Sequence, residues 1–289
     1  MSSTSAPPII DEAADLLARY DVLFCDVWGV VHNGRTAYVE GCAALRRFRD
    51  AGGTVILVSN APRTAAVVAR VLAEKNVPET SWDAIVPSGD LALQYAHSQG
   101  FRQVHHIGPD RDLDVFDETG IGRVAMEDAD AIFCTGLVHD RAETGADYKD
   151  RLRPALDRQL ALICANPDLV VDVGGDLLPC AGAVAQVYEE LGGHVHWAGK
   201  PFATAYEAAH RNAEELRGTK VDKHRILAIG DAVRTDISGA VAYGLDALFV
   251  GQGIHRQAVM PDGVVIVERL ERLFHGQPQA IAATATLRW

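Results

Sequence analysis

No apolar run in this sequence approaches the roughly twenty residues that span a bilayer, which argues against a helical membrane segment. Cations are scarce: 27 Lys and Arg stand against 39 Asp and Glu, a formal net charge of −12. That deficit argues against nucleic acid and against anionic membrane surfaces as partners. A small phosphorylated metabolite stays open as a ligand, because one lysine or bound cation can dominate the field inside a cleft. Paired thiols are missing too. Cys25, Cys42, Cys134, Cys164 and Cys180 form no Cys-x-x-Cys pair. An odd, scattered set reads as the reduced, buried thiols of a cytoplasmic protein. The opening Met-Ser-Ser-Thr-Ser-Ala-Pro-Pro has neither the basic nor the apolar region of a signal peptide and reads as a disordered lead-in. Internal repeats and low-complexity tracts are also absent.

What is present suits a globular α/β protein. The 289 residues are 48% hydrophobic and 23% charged, enough for one large or two modest domains with a full core. The organising stretch is Val22-Leu-Phe-Cys-Asp-Val-Trp-Gly-Val-Val-His-Asn-Gly34. Val22 to Cys25 is a short, uninterrupted apolar run, as in a strand buried on both faces of a parallel sheet. It ends on Asp26, and ligands of open α/β sheets bind at the carboxyl ends of strands. By itself, Asp26 reads equally well as a residue that caps a turn. Strand alternation points Cys25 away from the Asp26 face.

Along the chain, residues 11–20 and 41–51 carry apolar residues at helical spacing, and Gly52-Gly53 ends the second of these. Arg46, Arg47 and Arg49 read as a solvated helix face near a C-terminus, where cations suit the dipole. A strand over 54–59 completes a βαβ unit. From about Trp82 the pattern restarts, with strands near 84–86, 104–107, 131–133 and 161–164 and helices near 90–98 and 148–158. This block reads as a smaller α/β domain, residues 83–169, inserted as a cap into a Rossmann-like parallel-sheet core, residues 1–82 and 170–289. A cap beside strand ends can close over a site and exclude water. Asn166-Pro-Asp168 is a turn signature. Helices follow near 179–193 and 203–216, and strands near 243–250 and 264–267, the last at the sheet edge; residues 280–289 give no pattern.

Three further stretches bear on Asp26. Thr54-Val-Ile-Leu-Val-Ser-Asn60 ends in a hydroxyl and an amide. Trp197-Ala-Gly-Lys-Pro201 sets one lysine at a Gly/Pro break, and Arg225-Ile-Leu-Ala-Ile-Gly-Asp-Ala-Val-Arg-Thr-Asp236 closes an apolar run with two carboxylates. Alone, Lys200 would be a surface lysine, Ser59 a helix cap and Asp231 with Asp236 a turn plus a cap. In order, Asp26, Ser59, Lys200 and Asp231 with Asp236 resemble the four motifs of the haloacid dehalogenase superfamily. The spacing is similar to that of its subgroup with a large α/β cap, the nitrophenylphosphatase-like sugar and nucleotide phosphatases.

The resemblance implies a Mg²⁺-dependent phosphatase of small phosphate monoesters. Asp26 would be the nucleophile, forming an acyl-phosphate that water hydrolyses. Asp26, the carbonyl of Trp28 and Asp231 would hold Mg²⁺, with Asp236 on a metal-bound water or on Lys200. Ser59, the amide of Asn60 and Lys200 would bind the phosphate oxygens. The resemblance also allows dimerisation through the cap. One position departs from the pattern: two residues after the nucleophile these phosphatases usually carry a second Asp, the general acid. Trp28 stands there, and an indole cannot shuttle a proton. His32 is the nearby substitute for that task, and is equally readable as a loop histidine. The departure opens two alternatives, a non-catalytic phospholigand binder and a metal-independent dehalogenase. The paired Asp231 and Asp236 argue against the second.

Overall fold

The computed structural model describes residues 6–173 and 175–289. Part of the expected lead-in, residues 1–5, lies outside the described residues. The chain forms two compact units, one comprising the chain up to Ser59 with Ala69–Val86 and Tyr206–Trp289, the other Asn60–Val68 and Pro87–Ala205. Among the described residues thirteen strands run in order: β1 Val22–Cys25, β2 Thr54–Ser59, β3 Ala84–Pro87, β4 Gln103–Ile107, β5 Gly122–Arg123, β6 Ala131–Cys134 and β7 Ala161–Cys164. They continue with β8 Val170–Val173, β9 Asp176–Pro179, β10 Val195–Trp197, β11 Ile226–Gly230, β12 Asp246–Val250 and β13 Ala282–Thr284.

The first unit is built on a six-stranded sheet in the order β13-β12-β11-β1-β2-β3, parallel from β13 through β2. Every residue of β1, β2 and β11 is buried, as their unbroken apolar runs require. The chain moves from β1 outward to β2 and β3, and returns to the other side of β1 as β11 before going on to β12. The order therefore reverses between β1 and β11, the kind of switch point at whose carboxyl ends open α/β sheets bind ligands. Helix Val39–Asp50 buries Cys42, Leu45 and Phe48 in this unit. Its Arg49 is tied down: the guanidinium pairs with Asp83 at 2.5 Å, and the other Asp83 oxygen accepts from the Val55 amide at 2.8 Å. The expected solvated basic face thus includes one residue that locks the helix to the sheet.

The second unit holds a five-stranded parallel sheet, β10-β7-β6-β4-β5, and β8 pairs antiparallel with β9. Helix Ala181–Glu190 buries Val184, Ala185 and Tyr188 in a core with Ile132, Leu152 and Leu162. The unit runs to Ala205 and includes residues 60–68, beyond the expected 83–169, because β10 pairs with β7 and extends the second sheet. The expected strand at 264–267 is absent. Val264 is 70% exposed, and Val267–Phe274 is a helix burying Leu270 and Phe274 four residues apart. The edge is instead β13, within the stretch that showed no pattern.

Candidate active site

β1 and β11 are hydrogen-bonded neighbours with Cys25 opposite Ile229. The Asp26 amide extends the ladder by donating to the Ile229 carbonyl at 2.8 Å. Asp26 thus leaves its strand level with Gly230, and Asp231 follows on the next strand. Asp236 joins them from a π-turn over Val233–Ile237, a local widening of the helix often found where a side chain must be re-aimed. One carboxylate oxygen from each of Asp26, Asp231 and Asp236 lies within 4.8 Å of the others. All three residues are almost fully buried. Like charges so close and so poorly hydrated raise each other's energy, and a divalent cation is the direct remedy. The donors are hard carboxylate oxygens, the set that Mg²⁺ prefers, so the residues fit that ion. Ser59, also buried, closes the neighbouring strand β2.

Three distant residues that help hold these aspartates had no signal in the sequence reading. The Asp231 carboxylate sits where only glycine leaves room: a Cβ on Gly253 would stand 1.7 Å from its Oδ2, and one on Gly29 would stand 2.2 Å from the same atom. The Ile254 amide donates to that oxygen at 2.5 Å. Asp236 accepts from the Ala232 amide at 3.0 Å, and the buried Tyr206 hydroxyl lies 3.1 Å from the Asp236 carbonyl. Gly253, Ile254 and Tyr206 come from distant stretches, so spacing around the aspartates could not point to them.

The loop after Asp26 folds back on itself. The Gly29 amide donates to the His32 carbonyl at 2.8 Å, and Gly29 has a left-handed φ of 90°. The Trp28 and His32 rings meet edge-on at 5.2 Å. A Cβ on Gly34 would lie 2.5 Å from the Trp28 ring, so glycine gives the indole its seat. His32 is 3% exposed, and its Nδ1 accepts from the Gly34 amide at 2.9 Å, placing the ring proton on Nε2. Burial, with the charge of Lys75, pushes its pKa down to about 4. The expected proton carrier is therefore a buried, neutral imidazole with one nitrogen already engaged. Cys25 is buried and its thiol donates to the Asp26 carbonyl at 3.1 Å. All five cysteines are free and buried.

Asn60 and Lys200 lie in the second unit and are both buried. The Asn60 side chain accepts from the Lys200 amide at 2.8 Å and donates to the Lys200 carbonyl at 3.0 Å. Among the described residues no helix is long and apolar enough to cross a membrane.

Comparison with known proteins bears on this arrangement. A family model described as haloacid dehalogenase-like hydrolase matches residues 23–122, and a second, described as HAD-hydrolase-like, matches residues 197–273. A crystal structure of a haloacid dehalogenase-like hydrolase from Brucella suis is 41% identical, covering 96% of this chain and all of that one, with a TM-score of 0.85. A possible sugar phosphatase from Cytophaga hutchinsonii is 18% identical over 96% of this chain and 98% of its own, with a TM-score of 0.74. The glycerol phosphate phosphatase Rv1692 from Mycobacterium tuberculosis, in complex with magnesium, is 24% identical over 89% of this chain and 78% of its own, with a TM-score of 0.64. No curated protein matches the chain.

Proposed function

Since this chain belongs to the haloacid dehalogenase-like hydrolases, we propose that it is a magnesium-dependent phosphatase of small phosphate monoesters, with Asp26 as its nucleophile. One observation carries the reading: three buried carboxylates converge at the central reversal of the parallel sheet, their oxygens within 4.8 Å. The fold-level likeness to a sugar phosphatase and a glycerol phosphate phosphatase supports a small monoester as substrate.

Asp26, Asp231 and the Trp28 carbonyl would hold magnesium, with Asp236 behind them. Bound there, the ion neutralises charge so that a phosphate dianion can approach a carboxylate. An Asp26 oxygen bonds to phosphorus as the ester P–O bond breaks, giving an aspartyl-phosphate, and water later cleaves it to return the carboxylate. By the resemblance, Ser59, the Asn60 amide and Lys200 would donate to the non-bridging oxygens, where charge must be held through the transfer. The departing oxygen needs a proton. Trp28 cannot give it, and His32 is neutral and buried, so the leaving group draws on water. Turnover then favours esters whose leaving oxygen is already stable as an anion.

The same departure supports a second reading, a phospholigand binder that has lost turnover. Nitrophenyl phosphate assayed with and without Mg²⁺ separates the two. Metal-dependent nitrophenol release that disappears in Asp26→Asn supports the enzyme. Saturable phosphate binding with no release in the unaltered protein rules the enzyme out.

A further inference from the structure

The Asn166-Pro-Asp168 turn has no part in the chemistry above, yet it touches the residue that holds Lys200. Asn60 uses its whole side-chain amide. Its Oδ1 accepts from the Lys200 N–H at 2.8 Å, and its Nδ2 donates both to the Lys200 carbonyl at 3.0 Å and to Asp168 Oδ1 at 3.1 Å. An amide offers two N–H donors and a carbonyl acceptor, and here all three are hydrogen-bonded. The three partners also agree on which end of the amide is oxygen. No other side chain of this size offers an acceptor and two donors in one plane. Aspartate at position 60 would turn an oxygen toward the Lys200 carbonyl and the Asp168 carboxylate.

The neighbourhood is shaped to allow this grip. Gly199, at a left-handed φ of 123°, passes so close that a Cβ there would stand 2.5 Å from Asn60 Oδ1 and 3.0 Å from Pro167 Cδ. Asp168 is set in turn by its own turn: its amide donates to Asn166 Oδ1 at 3.1 Å, and its carbonyl accepts from the Gly182 amide at 3.2 Å. The chain just after Asn60 is held as well, since the Ala61 carbonyl accepts from the Gly89 amide at 3.1 Å.

We propose that Asn60 and Asp168 are positioning residues for Lys200, Asp168 fixing the Asn60 amide and Asn60 clamping the lysine's N–H and C=O. With its own N–H and C=O both held, the Lys200 backbone is fixed, and its ammonium is delivered to one small region. The functional part rests on the phosphatase reading; the clamp itself does not. Misplacing a catalytic group by about 1 Å costs up to about 10²-fold.

Two measurements on the full chain test this. The first is amide hydrogen exchange at Lys200 in the unaltered protein, Asn60→Ala, Asp168→Ala and Asp168→Asn. The two alanine variants should speed exchange at Lys200 at least about tenfold, and Asp168→Asn should stay near the unaltered rate because its carboxamide oxygen still accepts. The second is nitrophenyl phosphate kinetics with and without Lys200→Ala. Asp168→Ala should lower kcat/KM about tenfold to hundredfold, Asp168→Asn should restore it to within about threefold, and in the Lys200→Ala background Asp168→Ala should cost less than about twofold. Unchanged Lys200 exchange in both alanine variants overturns the clamp. Equal losses from Asp168→Ala with and without Lys200 overturn its positioning role. An unaltered protein with no phosphatase activity overturns the phosphatase reading alone, and the exchange result still decides the clamp.

Discussion

Position 28 sets the chemistry that one residue can deny a phosphatase. A carboxylic acid two residues after the nucleophile supplies the proton the leaving oxygen needs, a contribution typically worth about 10²–10⁴-fold. Trp28 instead packs its ring over Gly34 and against His32. Trp28→Asp should therefore raise kcat on an alkyl phosphate at least about tenfold and raise it far less on nitrophenyl phosphate, whose leaving group needs little protonation. Equal gains on both esters, or none on either, would show that proton supply does not limit turnover. Gly253 makes the second residue-scale case. A Cβ there would stand 1.7 Å from Asp231 Oδ2, so Gly253→Ala must push that carboxylate aside. Disturbing a group that orients a metal ligand usually costs about 10–100-fold in metal affinity. The Mg²⁺ concentration giving half-maximal activity should rise by that order, and an unchanged value contradicts the reading of Asp231 as a ligand.

At the scale of elements, one guanidinium ties residues 60–68 to residues 111–114. Arg63 donates to the Arg111 carbonyl at 2.6 Å and pairs with Asp112 at 3.0 Å and Asp114 at 3.4 Å. Asp112 is buried, and burial pushes its carboxyl pKa up even with Arg63 beside it. Arg63→Ala leaves that carboxyl without its main cation. Breaking a buried pair this way costs about 3–5 kcal/mol, reduced here because Arg63 keeps some solvent contact. We expect about 2–3 kcal/mol in urea unfolding, and a loss below about 0.5 kcal/mol would place the pair among inconsequential surface contacts.

Elements of this kind also mark how far the sequence could be read. β1, β2 and β11 were legible because a strand buried on both faces has to be apolar throughout, and the carboxylates fall where those runs stop. The strand expected at 264–267 failed because Val264, Val265 and Ile266 are strand formers by type, while the packing is decided by Leu270 and Phe274 at helical spacing. β13 was invisible for the opposite reason. Its Ala282-Ala-Thr284 core carries one β-branched residue, and it is a strand because β12 pairs with it on one side and Ile9 bridges to Ala283 on the other. The Asn60 clamp joins positions 60, 168 and 200, and local pattern holds no trace of a contact spanning that distance in sequence.

For the whole molecule, two half-buried histidines set an acid limit. His106, with Nε2 2.8 Å from the Thr135 hydroxyl, has its pKa pushed down to about 4 by burial and by the charges of Arg123 and His105, against the opposing Asp110. His196, stacked on Tyr95 at 3.4 Å, is also lowered to about 4, first by burial and then by His194. An unfolded imidazole takes its proton near pH 6.5. Between about pH 6.5 and 4 only the unfolded chain binds these protons, so acid favours unfolding across that window. Stability should hold above about pH 6.5 and fall toward pH 4, and His106→Asn should flatten part of the slope in urea unfolding. A slope unchanged by that substitution would mean the ring is protonated in the fold. The claim beneath all of this is that Asp26 takes up phosphorus beside a divalent ion. A crystal grown with Mg²⁺ and beryllium fluoride tests it most directly: beryllium fluoride on an Asp26 oxygen, with Mg²⁺ against Asp26 and Asp231, is the expected result, and a bare Asp26 with no ion between the two carboxylates contradicts it.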